Sequence, residues 1–227
     1  MKEEHSINYK VIYSSRRTIG ISIRPDATVI VRVPFRTSER TIKDIVDQKA
    51  AWIIKHTTKF LDNVNKRQLI NYTNGEMHLF RGKNNNLVIK ESLRQYCRFN
   101  DGFIEIGTNR PRNNETIKRI LYSGYKKEAE KVFPVLVNQV SEITGLKPAC
   151  LRTRTMKRRW GSCSSKGIIT LNTDLIRLAD EFIIYVITHE LCHLKHHNHG
   201  TGFYALLASY IPEWKKIRKE IRSYIVA

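Results

Sequence analysis

His189, Glu190 and His193 form a His-Glu-x-x-His run inside Tyr185-Val186-Ile187-Thr188-His189-Glu190-Leu191-Cys192-His193, and His199 follows six residues later. On a helix, positions four apart stand one turn up the same face. Two imidazoles so placed can hold one Zn²⁺ at about 2.0–2.1 Å each. Glu190 is off their line, yet offset enough to reach a water bound to that metal, which suits it to act as general base. The spacing therefore predicts metal-assisted hydrolysis, with Glu190 catalytic and one Zn²⁺ per chain.

A catalytic zinc takes three protein ligands and keeps a fourth position for water. His199 is the best third ligand, because Asn198-His199-Gly200 lets the chain leave the helix and turn back. Gly200 and Gly202 suit positions that need unusual backbone angles. His197 is the fallback ligand, and His196 is assigned to the outer shell or the surface. Phe182, Ile183, Val186, Ile187, Leu191 and Leu194 supply the apolar stripe that a helix inside a folded domain needs. Cys192 lies between the ligands in sequence but on another face, as a small buried residue.

The elements that must position these groups come earlier in the chain. Ile7 to Tyr13, Ile19 to Arg24 and Val29 to Val33 read as strands, with a turn at Pro25-Asp26, and predict a β-hairpin or three-stranded meander. Ser38 is placed to cap a helix whose apolar positions run through Ile42, Val46, Ile53, Phe60 and Leu61, with Trp52 anchoring it on the sheet. A second β-rich stretch spans about Met77 to Ile106, in which Gly82 to Asn86 reads as a polar turn. Asn114 opens a long helical pattern that Pro134 should kink and Gly145 should end. The seam near Arg110-Pro111 predicts two domains, residues 1–110 and 111–227. Leu151 to Lys157 and Ile168 to Asn172 are strands either side of the turn-rich Arg159-Trp160-Gly161-Ser162. The strand just before the motif helix is well placed to pair with an extended peptide. No internal repeat is evident.

Composition bounds the partners. The 227 residues carry 40 Lys and Arg against 21 Asp and Glu, a net charge of +19. Such a chain attracts polyanions, with an affinity that falls as salt rises. This supports an alternative: a basic protein associated with nucleic acid, its protease acting on DNA- or RNA-bound proteins or its zinc only structural. A closed structural site needs four ligands, usually with Cys, and neither His197 nor Cys192 is well spaced for that. The four cysteines form no C-x-x-C pair. No apolar run approaches the ~20 residues of a membrane span, and Met1 to His5 lacks a signal-peptide core, so a cytoplasmic protein without membrane contact is expected.

Several motifs together resemble the YgjP-like metallopeptidases, which are zincins with a minimal catalytic core, similar to SprT-like and WLM-type proteases. They are Arg159-Trp160-Gly161-Ser162-Cys163-Ser164, Ile169-x-Leu171-Asn172, Tyr185-Val186-x-x-His189-Glu190-Leu191-x-His193-Leu194 and Asn198-His199-x-x-x-Phe203. Arg16-Arg17-x-Ile19, Pro34 and Ala51-Trp52-Ile53 extend the resemblance over nearly the whole chain. It implies an α+β fold, a zincin-like domain with its motif helix and a small sheet, preceded by a β-rich N-terminal subdomain. It also implies zinc on His189, His193 and His199, Glu190 as base, and a protein or peptide substrate. Arg159, Trp160, Asn172 and Tyr204 are candidate substrate residues; Tyr204 stands where the family pattern leads one to expect Trp.

Overall fold

The computed structural model describes residues 7–24, 26–58 and 70–224. The chain is α+β and divides into two compact units, Met1–Ile70 and Asn71–Ala227.

In the first unit, β1 (Tyr9–Ser14), β2 (Gly20–Ile23) and β3 (Val29–Pro34) form a sheet in the order β1-β3-β2. β1 runs parallel to β3 and β2 antiparallel to it, so the expected meander does not form. The continuous run Val29-Ile30-Val31 is buried on both faces, and that belongs at the centre of a sheet. α1 (Glu39–Gln48) starts at Ser38, whose hydroxyl accepts the Thr41 N–H at 3.2 Å. The helix breaks at Lys49, and α2 follows over residues 50–58. Val29, Val31, Val33, Ile42, Val46 and Ile53 make the core. Trp52 does not anchor it: the ring is 42% exposed and lies 4.4 Å from His56, while Ile53 points inward. Phe60, Leu61, Pro25 and Met1 to His5 lie outside the described residues.

The second unit opens with β4 (Met77–Phe80), β5 (Lys83–Glu91), β6 (Tyr96–Phe99) and β7 (Phe103–Thr108), in the order β4-β5-β7-β6. Asn84 to Asn86, expected in a turn, are strand residues, because β4 pairs with them. α3 (Asn114–Thr144) is capped by the Asn113 side chain, which accepts the Thr116 N–H at 2.8 Å, and ends at Gly145 with φ 68°. It runs on through Pro134. Next come β8 (Cys150–Arg154), β9 (Gly161–Cys163) and β10 (Ile168–Asn172), in the order β8-β10-β9. A 3₁₀ turn, Thr173–Arg177, leads into α4 (Asp180–Cys192), α5 (Thr201–Tyr210) and α6 (Trp214–Ile221).

One arrangement occurs three times without a visible sequence repeat. In β1-β3-β2, β5-β7-β6 and β8-β10-β9 the last strand sits centrally, parallel to the first and antiparallel to the second. A helix follows each.

The units divide at 70/71, not at the 110/111 seam expected from the sequence. Leu87, Ile104 and Ile106 share one buried cluster with Ile117, Leu121 and Tyr125 of α3 and with Ile183 and Ile187 of α4. The β-rich stretch therefore belongs to the body that carries the motif helix. A clamp ties the two together. Arg81 (φ 46°) and Gly82 donate their N–H groups to the carbonyls of Ile176 and Arg177, each at 3.0 Å, and the Arg81 guanidinium pairs with Asp180 at the start of α4. A Cβ on Gly82, itself at φ 77°, would meet Ala179 at 2.7 Å. Among the described residues no helix is long and apolar enough to cross a membrane.

Candidate metal centre

α4 is buried along most of its length, and this fixes the directions of its last turns. His189 and His193 stand one turn apart, with ring centroids separated by 5.1 Å. The chain then tightens: the N–H groups of Leu194, Lys195 and His196 return to the carbonyls of Leu191 and Cys192. This brings His199 back over the helix, 3.0 Å from His189 Nε2 through its own Nε2. The nitrogens of His189, His193 and His199 all lie within 4.8 Å of one another. His197 is not in the group. Phe203 on α5 packs under all three rings, at 4.9, 4.6 and 4.6 Å.

Each imidazole is prepared as a donor. Burial, followed by the His193 and His199 charges, pushes His189 down to about 3, so it is neutral at physiological pH. Burial also lowers His199. His193 Nδ1 faces the His196 carbonyl at 3.0 Å. A carbonyl only accepts, so Nδ1 carries the hydrogen, which leaves Nε2 as the nitrogen that can bind a metal. That carbonyl does for His193 what outer-shell partners do at metal sites. His189 Nδ1 is buried without a partner among the described residues. Three imidazole nitrogens converging on one point fit a divalent metal with an open position.

The turn forms without glycine freedom. Gly200 has φ −82° and Gly202 is inside α5, so neither takes the unusual angles expected of them. Gly202 instead leaves room for His196, whose Cε1 would stand 3.0 Å from a Cβ there. Cys192 is fully buried, and burial raises its thiol to about 11, which keeps it apolar packing.

Glu190 is 6% exposed, and burial raises its carboxyl to about 7 against the lowering pull of Arg159 and a hydrogen bond from the Cys163 N–H. That amide belongs to β9, which is an edge strand; β10, the strand expected to meet a peptide, is central and has no free edge. Gly161 matters here by size. A Cβ on it would come within 2.7 Å of Glu190 Oε1 and 2.8 Å of Cγ. Gly161→Ala should keep the fold and the metal but push Glu190 aside. Misplacement of about 1 Å can cost ~10²-fold in rate, so a clear fall in kcat at full zinc content is expected. Unchanged kcat would mean that Glu190 has slack.

The substrate candidates separate. Arg159 is exposed, and its charge reaches Glu190. Trp160 is half-buried against the core, so it packs the hairpin. Asn172 has nothing left for a substrate. Its Nδ2 donates to the Met156 and Arg159 carbonyls at 2.8 and 2.9 Å, and its Oδ1 accepts from the Met156 and Asp174 N–H groups at 3.3 and 3.2 Å. Fully buried, it is a clasp for the turn before β9. Asn172→Ala should cost about 2–4 kcal/mol by leaving those backbone groups unpaired, read as a lower denaturant midpoint. Tyr204 stacks on Trp214 at 4.7 Å and stands 6.0 Å from His199.

Three contributors escaped sequence reasoning: Gly161, the Cys163 amide and the His196 carbonyl. Backbone groups carry no residue signature. Gly161 was visible inside Trp160-Gly161-Ser162, but only its contact with Glu190 reveals its task.

A family model described as YgjP-like, metallopeptidase domain, matches residues 17–224. Among solved structures, the chain is similar to the metallopeptidase zymogen abylysin of Pyrococcus abyssi, with 28% identity over 40% of this chain and 93% of that one and a TM-score of 0.38. It is also similar to the metallopeptidase zymogen jannalysin of Methanocaldococcus jannaschii, with 26% identity, 40% and 94% coverage and a TM-score of 0.37. No curated protein matches.

Proposed function

Since the chain belongs to the YgjP-like metallopeptidase family, we propose that it hydrolyses peptide bonds at one metal held by His189, His193 and His199, with Glu190 as general base. The observation that carries this reading is the convergence of three imidazole nitrogens within 4.8 Å beside a buried carboxylate. When bound, the metal, typically zinc in such a family, would acidify a water and polarise the scissile carbonyl.

The chain's own residues supply the rest. Glu190 takes the proton of the attacking water and passes it to the leaving nitrogen. Burial brings its carboxyl near neutrality, the range in which one group can both accept a proton and return it. The Cys163 amide and the closeness of Gly161 limit where the carboxylate can point. Phe203 closes the floor of the site and keeps the three rings from turning away.

The structural-zinc alternative needs a fourth protein ligand, and among the described residues only three metal-binding side chains converge here. The test is zinc content by elemental analysis together with casein cleavage, before and after chelation. Cleavage lost on chelation and restored by one equivalent of zinc supports the reading. Zinc bound while casein stays intact sinks it.

A further inference from the structure

Arg218 is a cation that the hydrolytic scheme leaves unused, and it is held on Tyr204, whose ring lies 6.0 Å from that of His199. It projects from α6, half-buried, and its Nη1 donates to the Tyr204 hydroxyl at 3.2 Å. Its guanidinium carbon lies 5.6 Å from the centre of the Tyr204 ring and 5.8 Å from that of Trp214. Those two rings are stacked on each other, tilted by only 14°, and Tyr204 adjoins His199. A guanidinium fixed against aromatic faces gives up little further freedom when it meets a ligand.

A further observation indicates what that ligand is. Among the described residues no carboxylate forms an ion pair with Arg218, although five N–H donors sit on its fork.

We propose that Arg218 is a specificity-determining residue that anchors a substrate carboxylate next to the scissile bond, so that this site prefers peptides carrying one. The proposal rests on the hydrolytic reading above and names the substrate class for the same site. A planar fork pairs with a carboxylate through two parallel hydrogen bonds, whether it belongs to an Asp or Glu side chain or to a free C-terminus. A neutral isostere leaves those donors unanswered, which should cost about tenfold to hundredfold.

The test uses the zinc-loaded full chain and three fluorogenic peptides of otherwise identical sequence. One has Glu beside the scissile bond and an amidated C-terminus. The second has Gln there and an amidated C-terminus, and the third has Gln and a free C-terminus close to the bond. Wild type should favour a carboxylate peptide over the neutral one by about tenfold to hundredfold in kcat/KM. Arg218→Gln should collapse that ratio to near one, and Arg218→Lys should keep part of it, since charge remains but the fork is lost. Preference for the first peptide identifies a side chain as the source; preference for the third identifies the C-terminus. The same peptides are titrated by calorimetry into zinc-loaded Glu190→Gln, with and without Arg218→Gln, so that the anchor is read without turnover. No preference in wild type, or the same preference in Arg218→Gln, overturns the anchor and leaves hydrolysis standing. A Kd preference that depends on Arg218, with no peptide cleaved, overturns the hydrolytic reading and keeps the anchor. Absence of both overturns both.

Discussion

Glu190→Gln should leave zinc content near wild type and lower hydrolysis by about 10²–10⁴-fold, the usual contribution of a general base. Gln keeps the shape of the side chain and an oxygen for the Cys163 N–H, but it cannot take a proton. Because Glu190 is not one of the three histidines that could hold a metal, the imidazoles keep their nitrogens. The stability of the metal-free chain should shift in a direction set by linkage. Burial raises the Glu190 carboxyl from 4.5 to about 7, so across that window the folded state holds a proton that the unfolded state has released. Stability from this group therefore falls as pH rises from about 4.5 to about 7. Glu190→Gln abolishes that fall and should be at least as stable as wild type at pH 8 in chelator. Cleavage by Glu190→Gln at the wild-type rate, with zinc quantified in both samples, would sink the assignment of the base. A variant that unfolds more readily at pH 8 would instead show that the carboxylate stabilises the fold.

His199→Ala should lose most of its metal. Two imidazoles one turn apart remain, and losing a direct ligand costs more than the ~10–100-fold in affinity typical of losing an outer-shell contact. The neighbouring histidines make the control. His197→Ala should keep full occupancy, because that side chain is exposed and outside the group of three. His196→Ala should keep it as well, since what His196 offers to His193 is a backbone carbonyl that the substitution does not touch. Zinc content after dialysis against a weak chelator reads all three variants. Full occupancy in His199→Ala with loss in His197→Ala would move the third ligand to His197.

These predictions draw unequally on sequence and structure. The pair His189 and His193 was legible from spacing alone, because the helical period sets the direction of a side chain within one turn. The ends of α3 were legible for a similar reason: the helical pattern opens at Asn114, and Gly145 stops it through backbone groups a few residues away. The sequence favoured His199 as third ligand and kept His197 as the fallback. The choice between them depends on how the N–H groups after α4 return to its last carbonyls, and both histidines occur in a segment of suitable length. Asn172 misled because a polar residue near a site reads as a ligand contact until its four hydrogen bonds to the 156–159 turn and to Asp174 are seen.

What the sequence by itself determined, then, was the chemistry carried by local periodicity and capping. Tertiary structure alone decided that β10 is central and β9 an edge strand, that β5 and β7 share the core of the motif helix, and that α6 brings Arg218 to Tyr204. Each of those arrangements depends on partners outside the local sequence. Local propensity does not specify such partners; they are selected by burying one common apolar core against the entropy of closing long loops.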